Sequence, residues 1–420
     1  MNIALEQFSI VTSIARFGIK QALNILKLFL GKPVTRPSLG SMTLDKDDVA
    51  IARKWLKNKT GWNDIKIVKE YERAFSKWNG SKYCFAFMGG RVALSAIIYG
   101  LGLQPGDEVI LPGYTCVVVP NAFKFAGVKI IYSDIELETY GLDASIIESK
   151  ITSKTKAIML HHLYGLVCRD YETIINIAKK HNLKIIEDCA HATGAEYKGK
   201  KVGNYGHAAF YSSEQSKIFN TVQGGIAATN DSEIAKRIQE YYEHAPVPDN
   251  KVIERQLYTL ILNYYQCNHP ARWILGDIFS LIYRKQNLIS TTSEEMCGIC
   301  PSHYGRKMVA PIAAIGMNQL RKIDRYNQIR RETSKIWDDW CVKAGYLKPL
   351  VINNSLPVFL RYPVLVEPDK KKNTKWAKKT LGVDLGVWFI GNLHPVQHHI
   401  SDCPKSDEAV KKCINFPCIL

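Results

Sequence analysis

No apolar run in this sequence is long enough to cross a bilayer. Glu6, Arg16, Lys20 and Lys27 cut every apolar stretch of residues 1–34 short, which also excludes a signal-peptide core. The 16 residues from Gln256 to Ala271 carry no formal charge but are too few and too polar to span. Paired cysteine spacing is missing too. The eleven cysteines are odd in number and irregularly placed, which argues against a disulfide framework and for reduced thiols in the cytoplasm. Cys297-Gly-Ile-Cys300, with His303 behind it, has no second pair to complete a tetrahedral zinc site, so no metal is expected. Cys418-Ile-Leu is one residue short of a prenylation box. Acid is in deficit, with 39 Asp plus Glu against 56 Lys plus Arg, a net charge of +17. That balance suits an anionic partner. No stretch mixes basic and aromatic residues as nucleic-acid binders do, which leaves an anionic lipid surface or a pyrophosphate-bearing substrate.

What is present is enough apolar sequence, 46% of 420 residues, for one large domain and a smaller one. Short apolar runs at Tyr83–Phe87, Glu108–Leu111, Val128–Tyr132, Ala157–His161, Leu183–Ile186 and Ala208–Ser213 alternate with helical or turn segments. That order predicts an α/β fold, a mostly parallel sheet with helices on both faces. Asp188 falls where one strand stops, at the carboxyl edge where open α/β sheets place ligands. Lys217 follows 29 residues later, just beyond another strand. A lysine amine that can form a Schiff base, and a carboxylate that can keep a pyridine nitrogen protonated, are the two groups pyridoxal phosphate chemistry requires. At Met88-Gly89-Gly90-Arg91 a strand, glycines and a helix start make a phosphate site of backbone N–H groups, to which Arg91 adds a charge.

Around this pair the sequence reads E-D-C-A-H-A-T-G-A-x-Y-K-G-K-K-V-G-x-x-G, then S-x-x-x-x-K and G-G. It resembles the DegT/DnrJ/EryC1/StrS nucleotide-sugar aminotransferases, closely over Arg36 to Asp231 and again from Met308 to Pro417. The resemblance implies a fold-type-I, pyridoxal 5'-phosphate-dependent homodimer. In it Lys217 carries the cofactor and then shuttles the proton, Asp188 grips the pyridine nitrogen, and His191 faces the phenolic oxygen. Gly90, Arg91 and Ser212 would hold the phosphate. The family stacks an aromatic ring on the cofactor where this chain has Cys116, and Tyr114, two residues away, is the alternative. The family's cross-dimer Asn-x-Arg is Gly305-Arg306-Lys307 here. The implied reaction moves an amino group from an amino acid, glutamate by expectation, to an anionic keto-sugar on a nucleotide carrier, for cell-surface glycans.

Four segments result: an amphipathic helix over 1–35, a cofactor-binding domain over 36–234, an apolar and basic insertion over 235–307, and a small α+β domain over 308–420. Residues 1–34 put Arg16, Lys20 and Lys27 opposite an apolar face, and the insertion mixes aromatic, aliphatic and basic residues. Both suit either the anionic inner face of a membrane or packing against protein. Three rival readings stand beside the first. A sugar dehydratase of the same fold would have His at position 217. An acceptor that is lipid-linked or delivered at a membrane would use the two amphipathic segments. A non-catalytic scaffold would account for Cys116, Gly305 and Arg91.

Overall fold

The computed structural model describes residues 42–267, 293–301 and 304–420, with residues 22 and 26. The N-terminal helix expected over 1–34, the aromatic and basic run over 268–292, and His303 lie outside the described residues.

Seven strands form the central sheet: β1 Tyr83–Phe87, β2 Glu108–Pro112, β3 Lys129–Ser133, β4 Thr155–His161, β5 Lys184–Asp188, β6 Ala208–Ser212 and β7 Gly225–Thr229. Their spatial order is β1-β7-β6-β5-β4-β2-β3. Only β7 runs against its neighbours, so the other six strands end at the same edge. Strand alternation divides the core between two faces. Phe85, Phe87, Val109, Met159, Ile186 and Phe210 pack on one side with helices α3 (Gly90–Gly100), α4 (Val118–Phe125) and α6 (Ser232–His244). Cys84, Ala86, Ile110, Ile158, Ile185 and Tyr211 pack on the other with α2 (Ile65–Asn79), α5 (Tyr171–Lys180) and the 35-residue α8 (Ala310–Ala344). The sheet is thus mostly parallel and covered on both faces, as the sequence predicts.

Helix α1 (Lys46–Lys57) is closed at its start by a capping box between Asp45 and Asp48. Gly316 in α8 lies against the ring of Tyr71, where an added Cβ would meet Cζ at 2.7 Å. Beyond α8, β8 (Arg361–Leu365) pairs antiparallel with β9 (Cys413–Pro417).

Two expectations change. The sequence from Pro112 to Cys116 reads as a helix start, yet Thr115–Cys116 is a short strand parallel to Leu393–His394, and the helix begins only at Val118. The cause is distant: the N–H groups of Thr115 and Val117 donate to the carbonyls of Asn392 and His394, 2.9 and 2.8 Å away. The second concerns the uncharged run of the insertion. Its described part forms helix α7 (Asn250–Cys267), which buries Ile253, Leu257, Leu260, Ile261 and Tyr264 in the core beside α1 and α8. That apolar face is spent on the protein itself.

Candidate active site

The carboxyl edge of the sheet gathers the expected residues. β5 ends at Asp188, β6 ends at Ser212, and β1 leads through Gly89 into α3. β7 starts at the same edge, with Gly225 opposite both Ser212 and Phe87. The fit around α3 requires glycine. A Cβ on Gly90 would lie 2.9 Å from Ser212 Cβ, and one on Gly225 would lie 2.4 Å from the backbone of Gly89 and Gly90. The first turn of α3, whose N–H groups lack intrahelical acceptors, is therefore pressed against Ser212. Ser212 is buried, and its Oγ accepts from the N–H of Glu214 at 3.3 Å.

Lys217 lies on the loop between β6 and β7, its N–H bonded to the carbonyl of Glu214 at 2.8 Å. Its Nζ is 2.9 Å from Nε2 of His191. Burial, and after it the positive charge of Lys217, holds the His191 imidazole well below the usual histidine range, so the ring is neutral. The N–H of Tyr164 donates to its Nδ1 at 3.3 Å, which assigns the ring proton to Nε2, facing Lys217. That proton is directed at Lys217 Nζ, the candidate nucleophile.

Asp188 is half-buried at the strand end, and its Oδ1 accepts from the N–H of Ala190 at 2.9 Å. Desolvation pushes its carboxyl up to about 6, against the pull of Ala190, Lys217 and His162. The neighbouring Glu187 is wholly enclosed yet differently served. It accepts from Tyr171 Oη, His162 Nε2 and the N–H groups of Gly203, Tyr205 and Gly206. Burial opposes its charge, but these donors hold its pKa below the ordinary carboxylate value. His162, Glu187 and Cys189 come close enough together to resemble a metal site. Nδ1 of His162 already accepts from Cys168 N–H and Nε2 faces Glu187, so the imidazole has no lone pair left for an ion.

Three other expected residues are placed less directly. Arg91 forms an ion pair with the buried Glu295, from the short helix Ser293–Met296 of the insertion. Tyr114 is fully buried, its hydroxyl 2.9 Å from that of Tyr164 and its ring 4.3 Å from that of Phe389. Its ring is thus packed by the protein's own aromatics. Cys116 is partly exposed and paired in register with His394.

The site also contains residues to which the sequence assigns no role. Trp388 stacks on His191, centroids 4.5 Å apart and planes 24° apart. Lys217 Nζ stands 5.0 Å from the centre of the Trp388 ring, and the Arg361 guanidinium 5.4 Å from it. His394 has a buried Nδ1 without a hydrogen-bond partner among the described residues, and burial, then the charges of Lys217 and Lys371, lower its pKa to about 4. These residues reach the site from 144 to 177 positions beyond Lys217. Only the density of aromatic and histidine residues from Trp388 to His394 could have marked them.

A lysine amine, a half-buried carboxylate, a neutral imidazole and a glycine-lined helix start at one edge form a donor set fitted to pyridoxal phosphate. The amine can take an aldehyde, the carboxylate a pyridinium, and the helix start a phosphate.

The DegT/DnrJ/EryC1/StrS aminotransferase family matches residues 42–420. GDP-perosamine synthase of Escherichia coli O157:H7 is 38% identical over 205 residues, 49% of this chain and 55% of that protein. The dTDP-3-amino-3,6-dideoxy-alpha-D-galactopyranose transaminase of Aneurinibacillus thermoaerophilus is 45% identical over 172 residues, 41% of this chain and 47% of that protein. The chain spans about half the length of these curated relatives. Among solved structures, NtdA from Bacillus subtilis, with bound cofactor PMP, superposes with a TM-score of 0.68 at 21% identity, covering 92% of this chain and 81% of that one. An aminotransferase from Psychrobacter cryohalolentis gives 0.68 at 23%, covering 92% and 94%. At such identities the likeness establishes the fold.

Proposed function

This chain belongs to the DegT/DnrJ/EryC1/StrS aminotransferase family, and we propose that it is a pyridoxal-phosphate-dependent aminotransferase acting on a keto-sugar carried by a nucleotide. The amino donor is an amino acid, glutamate in our reading, and the product serves cell-surface glycan synthesis. The observation that carries this is the 2.9 Å approach of Lys217 Nζ to a neutral His191, with the half-buried Asp188 at the adjacent strand end.

When bound, the cofactor supplies an aldehyde for the lysine and a conjugated ring that accepts an electron pair from the donor's α-carbon. The chain's own residues do the rest. His191 orients the Lys217 amine through its Nε2 proton and, being neutral, adds no charge beside the reacting atoms. Lys217 would serve as the proton shuttle, its Nζ taking up and giving back the proton that leaves the donor carbon. Asp188 would hold a protonated ring nitrogen and keep its positive charge in place. The N–H groups that open α3, together with Ser212, hold the phosphate, and Arg91, turned toward Glu295, stands at the margin of that cradle. Residues 36–234 bind the cofactor in this reading, and 308–420 close over it with Trp388 and His394.

The enzyme is read as a homodimer. Arg306 and Lys307 lie beside β1, where the Lys307 backbone bridges Phe87, and they stand in for the family's cross-dimer Asn-x-Arg. Among the described residues no helix is long and apolar enough to cross a membrane. Peripheral contact with an anionic inner leaflet rests on the basic N-terminal segment and on the aromatic and basic run over 268–292. Co-sedimentation with anionic liposomes, with and without residues 1–34, tests the first: equal pelleting removes that segment from the reading.

For the activity, a panel of keto-sugar nucleotides with ¹⁵N-glutamate, read by mass, should show label entering one sugar. A chain that binds pyridoxal phosphate at Lys217 but labels no sugar in the panel leaves the cofactor assignment standing and removes the acceptor class.

A further inference from the structure

Trp388 is 9% exposed and lies beside Lys217. Three functional groups surround its indole: the imidazole of His191 nearly parallel to it, Lys217 Nζ 5.0 Å from its centre, and the Arg361 guanidinium 5.4 Å from it. The segment that carries it is fixed at several points. The N–H of Trp388 donates to Asn415 Oδ1 at 3.1 Å, and Gly386 and Asn415 exchange two backbone hydrogen bonds of 2.8 Å each. On the far side, the buried Lys371 donates to the carbonyl of Phe389 at 2.9 Å. A large ring held this rigidly beside a nucleophilic amine needs little ordering when a flat ligand binds, so its contact energy is not offset by lost freedom.

The alternatives are weaker. Tyr114 is enclosed between Phe389 and Tyr164 and presents no free ring surface to Lys217. Cys116 has no ring. We propose that Trp388, contributed by the C-terminal part of the chain, is the aromatic wall against which the conjugated ring carried by Lys217 packs. Trp388 also fixes the plane of His191 by stacking on it. The inference rests on the pyridoxal phosphate reading and goes beyond it, because it places a cofactor contact on the part of the chain expected to close over the site.

The test compares Trp388→Phe, Trp388→Leu and the unaltered full chain. Each is stripped of cofactor, checked by thermal melting, and titrated with pyridoxal phosphate. Dissociation constants come from equilibrium dialysis, and the near-visible absorbance band is followed across pH. Phe should keep affinity within about threefold, while Leu, of similar bulk but without a ring, should weaken it by about three- to tenfold and move the band. Quenching of tryptophan emission on cofactor addition should be smaller in both variants than in the unaltered chain. Equal affinity, band and pH profile for Phe, Leu and the unaltered chain would reduce Trp388 to packing and overturn the inference. If the unaltered chain binds no pyridoxal phosphate, the aminotransferase reading itself fails, which is a different result.

Discussion

Glu295 reaches back from the end of the insertion to pair with Arg91 in the first turn of α3, more than 200 residues earlier in the chain. The pair is mostly enclosed, and Asn121 Nδ2 anchors the carbonyl of Glu295 at 2.6 Å. Tyr304 packs alongside, its hydroxyl 3.3 Å from the Arg91 carbonyl. The guanidinium beside the phosphate cradle is therefore partly neutralised by a residue of the chain's own insertion. Glu295→Gln removes that negative charge and frees the guanidinium. Cofactor affinity should rise about three- to tenfold, while the cofactor-free chain loses roughly 1–3 kcal/mol of stability through a buried charge left without its partner. Dialysis and chemical denaturation measure the two effects separately. Affinity that falls in step with stability would show that Glu295 only holds Arg91 in position.

His191 and Lys217 give a kinetic prediction. Replacing His191 with Ala removes the group that orients the amine. Turnover should drop by about 10²–10³, as for loss of a positioned acid–base partner. His191→Asn keeps a donor near Nζ and should recover part of the loss. Lys217→Ala should abolish trapping of the cofactor by borohydride and the absorbance band with it. A band that survives in Lys217→Ala would locate the covalent link elsewhere.

The sheet and its two key side chains were legible because they obey local rules. β5 and β6 are short apolar runs closed by polar residues, and the carboxyl edge of such a sheet places Asp188 whatever its sequence neighbours are. Lys217 was legible through its motif. The remainder of the site depends on distant pairing. Cys116 and Tyr114 read as a helix start until Asn392 and His394 supply carbonyls that draw Thr115 and Val117 into an extended conformation. Tyr114 then points into a cage of Tyr164 and Phe389. Trp388 and Arg361 show no periodicity that would mark them, and only the return of the chain past α8 brings them to Lys217. The Arg91–Glu295 pair was hidden for the same reason. The uncharged run of α7 was ambiguous because a helix face suited to a membrane is equally suited to a core, and α1 and α8 supply the core.

Asp188 gives a pH prediction with a definite sign. Its carboxyl is pushed from 3.8 to about 6 by burial, so between those values the folded state holds a proton that the unfolded chain releases. Its contribution to stability is complete below the unfolded value and is lost as pH rises through about 6. In cofactor-free protein, the melting temperature of Asp188→Asn minus that of the unaltered chain should increase between about pH 4 and pH 7 and then level off. Saturation with pyridoxal phosphate should shrink this gap, because a protonated ring nitrogen offsets the carboxylate charge. A difference that does not vary with pH in the empty protein would mean that Asp188 is better hydrated than its surroundings indicate.

The glycines predict an order of severity. A Cβ at Gly90 meets the side chain of Ser212, whose Cβ is 2.9 Å away and whose Oγ can turn aside. A Cβ at Gly225 meets the backbone of Gly89 and Gly90 at 2.4–2.5 Å, and neither side can yield without moving α3 from β7. Gly90→Ala should therefore fold, with about 1–3 kcal/mol less stability, and bind pyridoxal phosphate at least tenfold more weakly as the α3 start shifts away from Ser212. Gly225→Ala should lose more stability than that and accumulate as insoluble protein. Pairing Gly90→Ala with Ser212→Gly removes the atom it strikes and should restore the stability but not the affinity, since Ser212 is itself part of the cradle. Denaturation midpoints and dialysis on the three variants check the order. Recovery of both properties in the double variant would show that the α3 backbone holds the phosphate without Ser212.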